Sequence, residues 1–372
     1  MGESHTWVSD SREKLSSMAT TRGVAISLFS GAGGLDLGAE LAGFDVRAAV
    51  ERHADAAMTM EKNFPKLGAP VIHKDILETS TTEILKAAGL RKGQRPDLLV
   101  GGPPCTPFSK SGFWLEWKRS GLDPDASLLQ EYTRVLRESR PRAFVLENVY
   151  ALTYNNQASR PALTRLLREI DEAGYDCNMA VLNAADYGVP QARPRLFIVG
   201  TPKGTPTPTL PKATHGGKWE RRATGTADRP HVTAGEALAG LVTEPEREET
   251  LGGQYGKLLK DIPPGGNYLH YTEERGHPQP LFKWRSRYWS FLLKLDPGKP
   301  SPTIQAQPGP NVGPFHWDNR RLRVPEVKRL FTFPDEFEFV GGRASVQYQL
   351  GNSVPPLLAQ RVLEQVQSAI RR

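Results

Sequence analysis

Between Gly23 and about Gly200, short apolar runs alternate with stretches of helical period. The runs VAISLF (24–29), FDVRAAV (44–50), PVIH (70–73), DLLVG (97–101), AFVLEN (143–148) and RLFIVG (195–200) have the length and composition of strands. Between them, Leu128, Leu129, Tyr132, Val135 and Leu136 fall on one face of a helix. Leu163, Leu166, Leu167 and Ile170 do the same, with Pro161 near the start and Gly174 just past the end. Strand and helix in turn predict an α/β fold built on a doubly wound, mostly parallel sheet of Rossmann-like type.

After Gly200 the texture changes. Residues 201–317 hold 16 of the 31 prolines, with 15 Lys and Arg against 11 Asp and Glu, and show no long amphipathic period. A smaller, loop-rich, mildly basic domain with its hinge is expected over 201–344. Helical period returns in LLAQRVLEQV (357–366), so 345–372 is expected to complete the first domain, 23–200. Residues 1–22 form a polar extension rich in Ser and Thr.

Composition narrows the function classes. Hydrophobic content of 38% and charged content of 24% describe an ordinary globular protein, and a net charge of +7 suits a polyanionic partner. Two cysteines, Cys105 and Cys177, cannot make a disulfide framework or a usual zinc site, so no metal is expected. No segment approaches the roughly 20 apolar residues of a membrane span, and the N-terminal residues lack a signal-peptide core. A soluble cytoplasmic protein with no membrane partner is the expectation.

The chemistry-bearing residues fall at the ends of the expected strands. SLFSGAGGLDLG (27–38) follows the first strand and opens a helix, where glycines let backbone approach a ligand. Gly31 and Gly33 fit the dinucleotide fingerprint, but Asp36 stands at its third glycine position. Glu51 follows the second strand, placed for ribose hydroxyls, and Asp75 follows the third, placed for an adenine amino group. Each alone could be a solvated surface acid. Together they outline one crevice suited to a nucleoside-type cofactor. GGPPCTPFSKSG (101–112) fixes Cys105 on a turn stiffened by Pro103, Pro104 and Pro107, while Glu147 follows the fifth strand. QARPRLF (191–197) offers Arg193 and Arg195, which share a face if the strand start is extended, and cations near a thiol lower its pKa.

Taken with ENV (147–149), RRLRVPEVKRLFTFPDEF (320–337) and QYQLGNSVPP (347–356), these stretches resemble the DNA (cytosine-5)-methyltransferase family, in its order. The resemblance covers 23–200 and 318–362, and VPEVKRLFTFPD departs from it by a valine and a lysine where small or polar residues are common. It implies S-adenosylmethionine in the crevice, with Phe29 on the adenine and Gly31 and Gly33 leaving room for the methionine moiety. Glu51 would take the ribose and Asp75 and Ile76 border the adenine. Pro104 and Leu128 would line the pocket, and Asn352, Ser353 and Val354 would return to close it. It further implies that Cys105 attacks carbon 6 of a flipped-out cytosine, Glu147 binds its N3 edge, and Arg195 its carbonyl, with Arg193 bracing the loop or phosphate. Ser109 would touch nucleic acid. The segment 201–317 would be the target-recognition domain, where Arg285 and Arg287 in FKWRSRYW read bases beside aromatic wedges. The implied partner is double-stranded DNA, met by a monomer belonging to a bacterial restriction-modification or other defence system. An RNA cytosine methyltransferase with the same fold and a binding-only repressor are the alternatives.

Overall fold

The computed structural model describes residues 22–64, 71–104, 128–157, 159–216, 229–284 and 288–371. Cys105, Ser109, Arg285 and Arg287 lie outside them. The central sheet contains β1 (Gly23–Leu28), β2 (Phe44–Val50), β3 (Leu98–Gly101), β4 (Ala143–Val149), β5 (Tyr175–Asn183) and β6 (Pro194–Pro202), ordered β2-β1-β3-β4-β6-β5. The first four pair in parallel, while β6 runs antiparallel to both neighbours. The expected mostly parallel sheet is therefore present.

Two strands differ from the sequence reading. PVIH contributes a single bridge, Val50 to Ile72, before the chain turns into a 3-10 segment at Ile76–Glu78. Its hydrogen bonds are Ile72 N–H to the Ala49 carbonyl and Glu51 N–H to the Ile72 carbonyl. The Lys74 N–H turns back to the Ile72 carbonyl at 3.0 Å, which ends the pairing. The strand not foreseen is β5, an edge strand whose Met179 and Val181 stay exposed, so YDCNMAVLN carries no clean alternation.

Period two sorts the core onto the two faces of the sheet. Ala25, Val46, Leu98, Val100, Val145, Phe197 and Val199 point to one side, packed with α1 (Gly34–Leu41) and the C-terminal α9 (Pro356–Ile370). Ile26, Ala48, Leu99, Phe144, Leu146 and Ile198 point to the other, packed with α4 (Leu128–Ser139) and α5 (Ser159–Glu172). Each such aliphatic contributes roughly 1.5–3 kcal/mol when fully buried. Tyr132 of α4 is fully buried, yet its hydroxyl donates to the Leu99 and Val145 carbonyls at 3.3 and 3.0 Å. Tyr175, in the same layer, donates its hydroxyl to the Pro141 carbonyl at 2.8 Å, so both buried phenols are satisfied.

A third core joins the sheet to the rest of the chain. Met60 and Phe64, on and just past α2 (Ala54–Asn63), pack with α6 (Ala234–Leu238), α7 (Val324–Leu330), Phe333, and Val346 and Leu350 of α8 (Arg343–Asn352). A fourth small core gathers Leu259, Tyr268, Tyr271, Leu292 and Phe315 between short turns. Lys328, the lysine that departs from the family pattern, donates to the Asp335 and Phe337 carbonyls at 2.6 and 2.7 Å, stitching the end of α7 to the following turn.

The α1–α9 contact depends on Gly38. A β-carbon there would press into Ala359 and lie 2.8 Å from the Gln360 nitrogen. Gly38→Ala is expected to lower stability by about 1–3 kcal/mol through overpacking. Gly252→Ala, whose new methyl meets nothing within 4 Å, should stay within about 0.5 kcal/mol. Urea unfolding of both variants checks this.

Candidate active site

The carboxyl ends of β1, β2, β3 and β4 open on one side of the sheet, the place where α/β folds of this kind bind ligands. The first wall is the glycine turn. Phe29 and Gly31 both adopt left-handed backbone, with φ of 54° and 55°. For a phenylalanine that conformation is uncommon and strained, a feature that concentrates at functional sites. A β-carbon on Gly31 would meet open space, whereas one on Gly33 would strike Met60 and Phe64. Gly31 therefore leaves room on the crevice side. Gly33 instead makes room for the third core, which differs from the expectation that both clear a ligand.

Glu51 fixes the turn. Its Oε2 accepts the Gly31 N–H and its Oε1 the His53 N–H, both at 2.7 Å. Each oxygen keeps a further lone pair for a hydroxyl. Asp75 caps the 3-10 segment by accepting the Leu77 N–H at 3.0 Å, and pairs with Arg52 at 3.0 Å. Burial raises its pKa, but those two partners outweigh it and leave the carboxyl below its ordinary value. Ile76 and Leu128 are buried in one cluster with Val50, and Phe29 packs against it.

The closing segment arrives from the C-terminus. A β-carbon on Gly34 would collide with the Val354 carbonyl, so Val354 lies directly on the glycine turn. Ser353 is buried, with its hydroxyl donating to the Gln349 carbonyl at 2.8 Å, whereas Asn352 is exposed. Arg193 holds this return in place. It donates to the Ile304 carbonyl at 3.2 Å, the Gly351 carbonyl at 2.6 Å and the Ser353 carbonyl at 3.0 Å, with its guanidinium over the Phe331 ring.

Glu147 and Arg195 make the second wall. Glu147 lies within β4 opposite Phe197, and Arg195 lies opposite Val149, so the two side chains share a face and meet diagonally. Arg195 Nε stands 3.1 Å from Glu147 Oε1, and both side chains are nearly buried. Burial pushes the Glu147 carboxyl upward, while Arg195 and then Arg193 pull it back without cancelling the rise. The same burial lowers Arg195 and, more strongly, Arg193. The two arginines do not share a strand face as expected. β6 begins at Pro194, and Arg193, before it, turns into the protein to cap carbonyls.

Two residues without an assigned role in the sequence reading complete the wall. Asn148 is buried, and its side-chain amide donates to the Pro103 carbonyl at 3.1 Å. It ties β4 to the proline turn that precedes Cys105 in sequence, on the far side of described Pro104, which is exposed. Gly102 leaves space for Glu147, whose Oε2 would lie 3.0 Å from a β-carbon there. The motifs GGPPC and ENV marked both places, but only the folded pairing of β3 with β4 reveals the contacts.

Comparison with known proteins gives the family. The family model for C-5 cytosine-specific DNA methylase matches residues 24–368. The chain is 48% identical over 361 residues to the type II methyltransferase M.SacI of Streptomyces achromogenes, covering 91% of each chain. It is 34% identical to M1.HphI of Haemophilus parahaemolyticus, covering 92% of this chain and 86% of that one. Among solved structures, a protein assigned as a DNA modification methyltransferase encoded in an E. coli prophage superposes with a TM-score of 0.65. It shares 25% identity over 94% of this chain and 99% of that one. The strained glycine turn, the buried Glu147–Arg195 pair and this end-to-end similarity place the chain in the C-5 cytosine-specific DNA methylase family.

Proposed function

We propose that the protein transfers a methyl group from S-adenosylmethionine to carbon 5 of a cytosine flipped out of a specific duplex DNA sequence, with Cys105 as covalent nucleophile. The observation that carries this reading is the buried Glu147–Arg195 pair beside Gly102 and Pro103, the residues that lead in sequence to Cys105. When bound, the cofactor supplies an electrophilic methyl group. The residues present fit it: open space at Gly31, a carboxylate at Glu51 with free lone pairs, and an apolar floor of Phe29, Ile76 and Leu128. Val354 and Ser353 close the crevice, and Asp75 borders its adenine end.

Carbon 5 of cytosine is a poor nucleophile inside an aromatic ring. Addition of the Cys105 thiolate to carbon 6 breaks that aromaticity and gives carbon 5 enamine character. Glu147 keeps its proton to higher pH than an exposed carboxyl, so it can donate to ring N3 as sulfur adds. Arg195 faces the charge that develops on the base carbonyl. Arg193 and Asn148 act as positioning residues, one holding the C-terminal return and the other the proline turn. Because the ring is attacked from its face, the base must leave the stack.

Residues 201–344 serve as the recognition domain and hinge, with 345–372 completing the catalytic domain. Around residues 285–287, the side chains of Leu281, Trp284, Tyr288 and Trp289 are all roughly half exposed. Exposed aromatics beside Arg285 and Arg287 suit stacking or wedging against DNA. The relatives' names include type II methyltransferases, which supports a place in a restriction-modification system.

Cys105→Ser is expected to abolish methyl transfer with cofactor affinity nearly unchanged, and duplexes carrying 5-fluorocytosine should trap a covalent adduct with the wild type. An active serine variant, or no adduct, defeats the nucleophile assignment. Glu147→Gln should slow transfer by roughly 10²–10⁴-fold. The sign follows from the raised pKa: wild-type rate should fall as pH rises through it, a limb the glutamine variant lacks. Single-turnover rates across pH check both.

DNA affinity should fall with salt with a log–log slope of about −0.9 per neutralised phosphate. If Arg285 or Arg287 reads a guanine, its alanine variant should lose roughly 1–3 kcal/mol and relax preference at one base pair. Methylation profiling on randomised duplexes checks this, and bisulfite sequencing of DNA from an expressing host gives the target. Methylation confined to RNA in parallel assays overturns the DNA reading.

A further inference from the structure

Asp36, in the first turn of α1, is completely buried, and neither carboxyl oxygen has a hydrogen-bond partner of normal geometry. Such a group is rare, because a buried carboxylate is costly unless paired. Burial carries its pKa up to about 7, against the pull of the nearby Ser27 hydroxyl and its own backbone N–H, with Glu51 and Glu40 adding repulsion. Ser27 belongs to β1, and its Oγ lies 2.9 Å from the Ser30 Oγ, which donates to it. A short hydroxyl chain thus runs from the residue before Gly31 toward the buried acid.

The position of this acid relates it to the crevice. Asp36 stands three residues past Gly33, the left-handed residue that opens α1. Glu51, the acid that holds Gly31, is close enough to repel it. Other charges around α1 are already paired: Glu40 with Arg22 at 2.9 Å, Asp45 with Arg47 at 2.8 Å, and Arg361 with Glu364 at 3.3 Å on α9. β3 brings only leucines, valine and glycine. Among the described residues no cation is paired with Asp36, which leaves its carboxylate form open to a cationic ligand.

We propose that Asp36 is a proton-linked counter-charge for a cationic ligand of this crevice, making it prefer the sulfonium cofactor over the neutral thioether product. The inference rests on the reading of the crevice as an S-adenosylmethionine site. Without a cationic ligand, burial keeps the proton on Asp36 up to about pH 7. With a sulfonium bound, the carboxylate form gains a partner, and one proton leaves through Ser27 and Ser30 to solvent. With only a thioether bound, Asp36 takes one proton back from solvent. Charge therefore balances at each stage, and the product is left in a crevice that no longer favours it.

The test is calorimetric titration of the full chain with S-adenosylmethionine and, separately, with S-adenosylhomocysteine between pH 6 and 8, in buffers of different ionisation enthalpy. Near and below pH 7 the wild type should release up to about one proton per sulfonium ligand bound and none with the thioether. The ratio of the two affinities should rise by up to about tenfold from pH 6 to 8. Asp36→Asn should abolish the proton release and flatten the ratio. Ser27→Ala keeps the acid but removes the hydroxyl that lowers its pKa, so the midpoint should move to higher pH; it carries the test if the asparagine variant does not fold by thermal melting. Equal proton counts for both ligands with a pH-independent ratio overturn the inference while leaving the cofactor reading intact. No binding of either ligand overturns both.

Discussion

The guanidinium of Arg193 is the grip on which the arrangement of this protein depends. It is fully buried and, among the described residues, is held not by a carboxylate but by three backbone carbonyls from Ile304, Gly351 and Ser353 and by the face of Phe331. Those carbonyls come from more than 100 residues further along the chain. An arginine can serve here because its planar fork reaches several acceptors at once and its charge is more weakly hydrated than an ammonium. The grip seats the C-terminal return against the glycine turn, where Val354 meets Gly34. Without that seat, the crevice would lack its last wall.

The crevice itself divides its work between backbone and buried charge. Gly31, Gly102 and the strained Phe29 set where the chain may approach a ligand. Glu51 holds the first of these turns through Gly31, and Asn148 ties down Pro103 beside the second. The titratable side chains then sit in surroundings that shift them in opposite directions: Glu147 and Asp36 upward by burial, Asp75 downward by its partners. Separation of neighbouring carboxyls in this way is what a site needs when one must hold a proton and another a charge.

Much of this was legible before folding. Apolar runs such as VAISLF and AFVLEN announced buried strands because both faces of a central parallel sheet are covered, so most positions are apolar and only Ser27, Glu147 and Asn148 in these runs are polar. PVIH had the same look, but the Lys74 N–H turns back to the Ile72 carbonyl instead of continuing the ladder, so among the described residues it makes one bridge. YDCNMAVLN was missed for the converse reason: an edge strand with exposed Met179 and Val181 is under little pressure to alternate. Glu51 and Glu147 stood out as acids at strand ends, whereas Asp36 showed in the sequence only as a glycine replaced.

The sequence by itself determined the strand–helix order, the glycine and proline turns, and the residue types at their tips, because local sterics and periodicity act over a few neighbours. Only tertiary structure decided which of two arginines two residues apart would face the crevice. Arg195 meets Glu147 across antiparallel strands, and Arg193, one residue before the strand begins, is claimed by carbonyls from the far end of the chain. Likewise, the glycine turn fixed the shape of Gly33, but the packing of Met60 and Phe64 decided what fills the space it leaves. Partners separated by 100 residues or more leave no trace in local pattern, since burial and pairing are properties of the assembled core.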